Sequence, residues 1–537
     1  MSSEAALIPD SACSDPLAEL VTAVLRYNAL RISRAEAIMA PVGRRIFGLL
    51  PTLLHYNHPD LPGYLSPDTP CGIASFHASS AQTALLDELL HARGSVSAAW
   101  LRDPSRCDII GIYSMGSTAS IGQCCSSDLD IWVCHSGALG GPPLEKLRAK
   151  CDAISRWSKQ QGLDLNFFLV NVDQFRCGAR QALTHDNCGS AQQWLLLDEF
   201  YRSSLCLAGK QMVWWLVAVG DEERYDASVA QLFASGRISR NDWIDLGGFQ
   251  RVPAEEYFGA TLWQLYKGID SPYKAVLKTL LLEAYSADYP HTRMLSSELK
   301  AALHQGETDL LQLDPYYGML RRVSSYLQHS GDFARLDLAR RCFYLKTCEK
   351  LSDPTLGPGD WRHAGLRRLI EQWHWDEDKL RHLDRRDQWK VEQVRVAYKE
   401  LLDTQLLSFR KLIEFARRNQ ITESINAEDI SVLSRKLYAA FEPQTSKITR
   451  INPQISPDLH EPEIALIEVP RGRSNSAGWY LYKQPLVASR LLGAAPQKHA
   501  ATLAQLICWA HFSGVLTDDS ELYLYAQESE LSIRTLH

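Results

Sequence analysis

At 537 residues the chain is long enough for about three or four domains, and its 45% hydrophobic and 22% charged residues are those of a globular protein with a sizeable core. With 57 Lys and Arg against 63 Asp and Glu, the net charge is −6 and no dense basic run occurs, which argues against a protein that wraps duplex nucleic acid. The 13 cysteines are scattered without a CxxC pair, Cys124 and Cys125 adjoin, and the odd count rules out complete pairing; a reducing compartment fits better than a disulfide framework.

The amino terminus, MSSEAALIPDSACSDPL, has no basic region followed by an apolar core and does not read as a signal peptide. The longest apolar stretches, 46–54 and 212–219, are about half of the ~20 residues that span a bilayer, so a cytoplasmic protein without membrane insertion is expected. Leu17, Leu20, Val21, Val24 and Leu25 recur at helical spacing and predict helices over 17–54, and the proline-broken segment 55–72 predicts a loop. Three runs then read as strands, 108–114 (DIIGIYS), 129–134 (LDIWVC) and 163–171 (LDLNFFLVN), with a helix over 143–161 between the last two. Helices dominate the next block (273–285, 310–327, 333–351, 391–418), with a turn at Pro354, Gly357, Pro358 and Gly359. After about 430, predicted strands 447–451, 463–469, 479–483 and 521–525 with a helix over 499–512 suggest a small α+β module. The expected organisation is a helical region (1–92), a mixed α/β core (93–220), a helical domain (221–425) and the α+β module (426–537).

The informative stretch is IIGIYSMGSTASIGQCCSSDLDIWVC, residues 109–134. An apolar strand runs into Gly116 and Ser117, and about ten residues later come Asp128 and Asp130, flanked by Leu129, Ile131, Trp132 and Val133. Side chains alternate along a strand, so residues 128 and 130 share a face with Cα atoms about 7 Å apart, while Leu129 and Ile131 face the core. Two carboxylates on one face reach a common metal site, and carboxylate oxygen is a preferred ligand of Mg²⁺. Attack of a hydroxyl on an α-phosphorus requires a deprotonated hydroxyl and a neutralised pyrophosphate; two Mg²⁺ ions about 3.5–4 Å apart provide both. Gly116 permits close approach of backbone to phosphate, and Ser117 with nearby N–H groups can hold terminal phosphates. A bare DxD pair, read as a turn acid and a strand-edge acid, carries little weight. The strand, the Gly-Ser bend, the spacing and the Asp-hydrophobic-Asp strand together are far more specific.

This segment resembles the signature of the DNA polymerase β-like nucleotidyltransferase superfold, which implies a small mixed sheet with flanking helices and a third carboxylate on a later strand. In LDLNFFLVNVDQF that place falls on Asn166, a poor substitute for a metal-bound base. Asp164, two residues back on the same strand face, is the alternative, against the reading of a solvated strand-end acid.

Longer blocks resemble the class I adenylate cyclases: LLPTLLHYNHPDLPGYL (49–65), YSMGSTASIGQCCSSDLDIWVCH (113–135), LLLDEFYRSSLCLAGK (195–210), EEYFGATLWQLYKGIDSPYKAVLKTLLLEAYS (255–286), LARRCFYLKTCEK (338–350), LSRKLYAAFE (433–442) and INPQISPDL (451–459). The resemblance covers nearly the whole chain from about residue 17. It implies an α+β protein with a nucleotidyltransferase core embedded between helical regions. The implied activity is conversion of ATP to 3′,5′-cyclic AMP and pyrophosphate on Mg²⁺, with Mn²⁺ as a substitute. The residues by themselves reach only α-phosphoryl chemistry; the attack by ATP's own 3′-hydroxyl comes from the resemblance. Family members typically carry a further carboxyl-terminal regulatory half, linked to sugar-uptake phosphotransfer proteins. The expectation is therefore a catalytic fragment or short member whose regulatory partner acts mainly through that missing region.

Other candidates lie further along the chain. Asp270 or Ser271 is expected to N-cap a helix with Pro272 in its first turn. A helix start attracts anions, and Lys274 with Lys278 puts two ammonium groups on one face for the β,γ-phosphates, with Tyr273 or Trp263 near the base. A solvated lysine face and core aromatics are the ordinary alternatives. The family match gives Lys210 a phosphate role, against a surface lysine. It also makes Asp314 a candidate third carboxylate, against a helix N-cap before Pro315. An intermolecular adenylyltransferase would use the same residues. A catalytically inactive nucleotide-sensing module is suggested by Asn166 and opposed by the intact aspartate pair.

Overall fold

The computed structural model describes residues 15–92, 97, 101, 103–125, 127–177, 193–249, 252–353, 361–421, 435–437, 439–440, 447–452, 454–470, 476–483, 495–526 and 529. The expected turn at 354–359 lies outside the described residues. The chain divides into two compact units, one made of residues up to 187 with 191–256 and 290–319, the other of 188–190, 257–289 and 320–537.

In chain order the elements begin with α1 (Pro16–Ile38), α2 (Pro41–His55), α3 (Ser80–His91), β1 (Ile109–Met115), β2 (Leu129–His135), α4 (Gly141–Gln160), β3 (Leu165–Asn171), α5 (Val172–Arg176), α6 (Gln193–Ser203) and β4 (Leu205–Gly209). There follow the short strands β5 (Gln211–Met212) and β6 (Trp243–Ile244) with α7 (Tyr225–Ala234) between them, then α8 (Ala254–Lys267), α9 (Pro272–Ala287), α10 (Leu295–His304), α11 (Pro315–His329), α12 (Phe333–Thr347), α13 (Trp361–Trp373), α14 (Glu377–Asp384) and α15 (Val391–Arg418). The chain continues through β7 (Glu463–Val469), β8 (Gly478–Lys483), β9 (Lys498–Ala500), α16 (Leu503–Phe512) and β10 (Glu521–Tyr525). The class is α+β, as expected.

In the first unit the principal sheet has the order β3-β2-β1-β4, with β1 antiparallel to both β2 and β4 and β2 parallel to β3. A parallel pair needs a long crossover, and the 20-residue helix α4 supplies it. Leu129, Ile131 and Val133 point to one face, where they join Leu147, Cys151 and Ile154 of α4 and Leu50 and Leu54 of α2 in one core. The opposite face carries Tyr113 and Trp132, covered by Phe200 of α6: Trp132 stacks on it at 4.3 Å and Tyr113 meets its edge at 5.5 Å. The outer edge of β4 is covered by α1, whose Asn28 amide exchanges two 2.9 Å hydrogen bonds with the backbone of Cys206.

In the second unit α9, α11, α12 and α15 meet at buried Glu283. Its carboxylate accepts from Arg335 Nη1 (2.9 Å), Ser408 Oγ, Lys411 Nζ and Tyr326 Oη (2.7 Å each). These donors outweigh burial and hold the carboxyl below its ordinary pKa. The terminal sheet, β10-β7-β8-β9, pairs β7 in parallel with β10 and carries α16 against β8 and β9. Two expectations differ. Residues 447–451 form no strand: among the described residues they have no ladder partner. The five-residue strand β4 was not anticipated, because LCLAG is too short to show alternation.

Candidate functional site

At the end of β1, Gly116 turns the chain with φ of 87°, a region side-chain-bearing residues rarely adopt. Asp130 of β2 lies in register with Met115, and a Cβ placed on Gly116 would stand 3.8 Å from Asp130 Oδ2. The bare face of the glycine is thus turned to the carboxylate. Asp128, just before β2, is exposed and Asp130 half-buried, while Leu129 and Ile131 are 2% and 0% exposed, the burial pattern that strand alternation predicts. The next residue on that face, Trp132, lies under Phe200; the face is roofed from Trp132 onward and opens at the aspartates.

Asn166 of β3 is in register with Asp130, and its Nδ2 donates to Asp130 Oδ1 at 3.1 Å. The place expected for a third carboxylate therefore carries an amide. Asp164 just precedes β3; its carbonyl accepts from the Leu129 N–H, and its exposed carboxylate lies 3.5 Å from Lys159 Nζ. Among the described residues no group of three His, Cys, Asp or Glu side chains is placed to hold a metal ion.

Asp314 has a different employment. It is 2% exposed and caps α11 by accepting at Oδ1 from the N–H groups of Tyr316 and Tyr317, both at 2.9 Å. Its Oδ2 accepts from the Ile121 N–H at 2.8 Å, across 193 residues. Burial pushes its carboxyl up to about 6, and the three N–H donors with Arg31 oppose that rise. The carboxylate clamps the loop that follows Gly116.

Other contacts brace the same loop. Gln123 accepts from the Ala119 N–H at 2.6 Å and donates to the Ala35 carbonyl at 3.2 Å, which supports the left-handed Ala119 (φ 62°). The Gly116 N–H donates to Ser203 Oγ at 3.2 Å, and that hydroxyl donates to the Glu199 carbonyl at 2.6 Å. Buried Arg31 holds the carbonyls of Ser203 and Ser204 at 2.7 and 2.9 Å. Sequence reasoning missed Ser203 and Gln123. A serine ending a helix and bonding its i−4 carbonyl is an ordinary local pattern, and nothing local announces the contact with Gly116, 87 residues away.

The remaining candidates are placed as follows. Ser117 is half-buried, its carbonyl accepting from the Ser120 N–H and hydroxyl. Lys210 directly follows β4, its N–H bonded to the Ile110 carbonyl and its Nζ 2.8 Å from the Arg240 carbonyl. In the second unit, Ser271 precedes α9 without a side-chain cap bond and Pro272 opens the helix. Lys274 is exposed and Lys278 half-buried. Tyr273 is a core aromatic at 9% exposure, its hydroxyl pKa raised by burial, so it offers no open platform for a base. Trp263 is half-buried, with Lys267 Nζ 4.7 Å from its ring centre.

Two neighbouring carboxylates fit Mg²⁺, which commonly takes one or two of them and completes its shell with water and substrate phosphate. Sheet, glycine bend and paired acids define an α+β protein with a carboxylate site at an open strand end. The chain belongs to the class I adenylate cyclase family: residues 16–215 match the adenylate cyclase NT domain, 252–452 the class-I second domain and 459–537 the class-I third domain. It is 49% identical over 499 residues to the adenylate cyclases of Shigella flexneri and of Escherichia coli strain K12, covering 93% of this chain and 58% of each relative. With the adenylate cyclase of Proteus mirabilis the identity is 48% over 512 residues, covering 95% of this chain and 59% of the relative. The chain thus spans under two thirds of the length of the relatives it matches. No solved structure gives a significant match. Among the described residues no helix is long and apolar enough to cross a membrane.

Proposed function

We propose that this chain is the catalytic part of an adenylate cyclase, converting ATP to 3′,5′-cyclic AMP and pyrophosphate by in-line attack of the 3′-hydroxyl on the α-phosphorus. The observation that carries the proposal is Asp130 near the start of β2, its carboxylate beside the glycine bend at Gly116, with Asp128 exposed just before the strand. The hairpin β1–β2 followed by a helical crossover to parallel β3 supports reading the core as a polymerase β-like nucleotidyltransferase. Asp128 and Asp130 would hold Mg²⁺, with Mn²⁺ as a substitute. When bound, the cation supplies charge neutralisation for the triphosphate and acidity for the attacking hydroxyl.

The chain's own residues contribute position and charge. Gly116 admits phosphate close to the backbone, and Ser117 offers a hydroxyl to the terminal phosphates. Lys210 adds a positive charge beyond β4. The clamps from Ser203, Gln123 and Asp314 hold the loop before substrate arrives, so little reorganisation is left for the reaction itself.

The test is incubation of the whole chain with α-labelled ATP and Mg²⁺ and no second substrate. Cyclic AMP is the expected product. Label transferred to the protein or another acceptor, or no turnover, contradicts the proposal.

A further inference from the structure

Asn166 occupies a place where its chemistry matters. It lies in register with Asp130, is exposed, and directs Nδ2 to Asp130 Oδ1 at 3.1 Å. The reversed amide would set its carbonyl oxygen against a carboxylate oxygen, so the donor side is the one that faces the acid. Where the neighbouring strand presents its side chain to the aspartate pair, the site thus meets a neutral group with the positive end of a dipole, not a third negative oxygen.

We infer that Asn166 is a specificity-determining residue, one that ties cation binding to the nucleotide; the inference rests on the aspartate-pair reading given under Proposed function. Mg²⁺ requires six oxygens in near-octahedral arrangement and gives up water reluctantly. Two aspartates supply a minority of those ligands, and the Asn166 amide competes with a cation for the Asp130 carboxylate. A triphosphate supplies the missing negative oxygens. Cation and nucleotide therefore strengthen each other's binding, and by linkage each does so by the same factor. Asn166 also orients Asp130, so the amide both prepares the site and keeps it weak toward a free cation.

The test uses the whole chain and Mn²⁺ as probe, with two measurements: Mn²⁺ affinity by calorimetry without nucleotide, and affinity for a methylene-bridged ATP analogue with Mn²⁺ and with chelator. For the unaltered chain the analogue is expected to bind at least about tenfold more tightly with Mn²⁺, within the usual range of coupling between two ligands. Asn166→Asp, at an exposed position, is expected to raise the nucleotide-free Mn²⁺ affinity at least about tenfold through the added carboxylate, with an unchanged circular dichroism melt. An unchanged Mn²⁺ affinity in Asn166→Asp, or equal analogue affinity with and without Mn²⁺ in the unaltered chain, overturns the role of Asn166. Asp130→Asn separates the two ideas: it is expected to abolish the Mn²⁺-dependent gain in analogue affinity. If the gain persists there, the aspartate site itself falls and the role of Asn166 with it.

Discussion

Replacing Asp130 with asparagine is expected to slow cyclic AMP formation by at least about 10²-fold, the scale of losing one transition-state contact in an organised site. The melting temperature should stay within a few degrees. The substitution keeps shape and removes charge. The new side chain can still offer an oxygen to Asn166 Nδ2, and the strand remains anchored by Leu129 and Ile131 in the core below it. What disappears is a negative oxygen needed to hold a divalent cation against a polyanion. Asp128→Asn should act in the same direction, because its exposed carboxylate makes no contribution to the core. Initial rates with labelled ATP, beside thermal melts of the same preparations, check both. Unchanged rates in either variant would remove that residue from the site.

Asp314 should show its effect through stability as well as activity. Three backbone N–H groups depend on its two oxygens, and an unsatisfied buried donor costs about 1–3 kcal/mol. Asp314→Ala is therefore expected to destabilise the first unit by at least about 3 kcal/mol. Asp314→Asn is more informative, since it keeps one acceptor for the helix cap and turns N–H toward N–H at Ile121. Loosening that loop should lower the rate of cyclic AMP formation at least about tenfold, by loss of prior organisation.

The pH dependence of stability has a definite sign. The folded-state value of about 6 lies above the ordinary 3.8, so the fold favours the protonated acid despite the nearby Arg31 and Arg34. The stability this group contributes is complete below about pH 4 and is lost as pH rises through 6, by on the order of 3 kcal/mol. Urea denaturation from pH 4 to 7 should show the unaltered chain losing stability relative to Asp314→Asn across that window and running parallel to it above. A difference that is flat, or that grows with pH, would contradict the assignment.

Much of this site could be read from residues because its signals are local. Alternation around Leu129 and Ile131 assigns Asp128 and Asp130 to one face, whereas the place of Asn166 follows from the resemblance to the nucleotidyltransferase superfold, and the register sets it beside Asp130. The strands near 109, 129 and 165 and the helix between the last two were legible for the same reason. What was hidden depends on packing between distant segments. Asp314 carries both a matched acid and a good cap signal, and only the folded chain shows its second oxygen on Ile121. Tyr273 sits in a first helical turn beside two lysines and looks presentable from sequence, yet its ring is packed into the core. Ser203 reaches Gly116 because α6 lies across the sheet, a fact that no window of neighbouring residues contains.

The most direct measurement is anomalous diffraction from crystals of the chain with Mn²⁺ and a methylene-bridged ATP analogue. The account predicts Mn²⁺ bound to carboxylate oxygens of both Asp128 and Asp130, with the triphosphate against Gly116 and Ser117. Mn²⁺ bound elsewhere, or a triphosphate seated away from the end of β2, would contradict it.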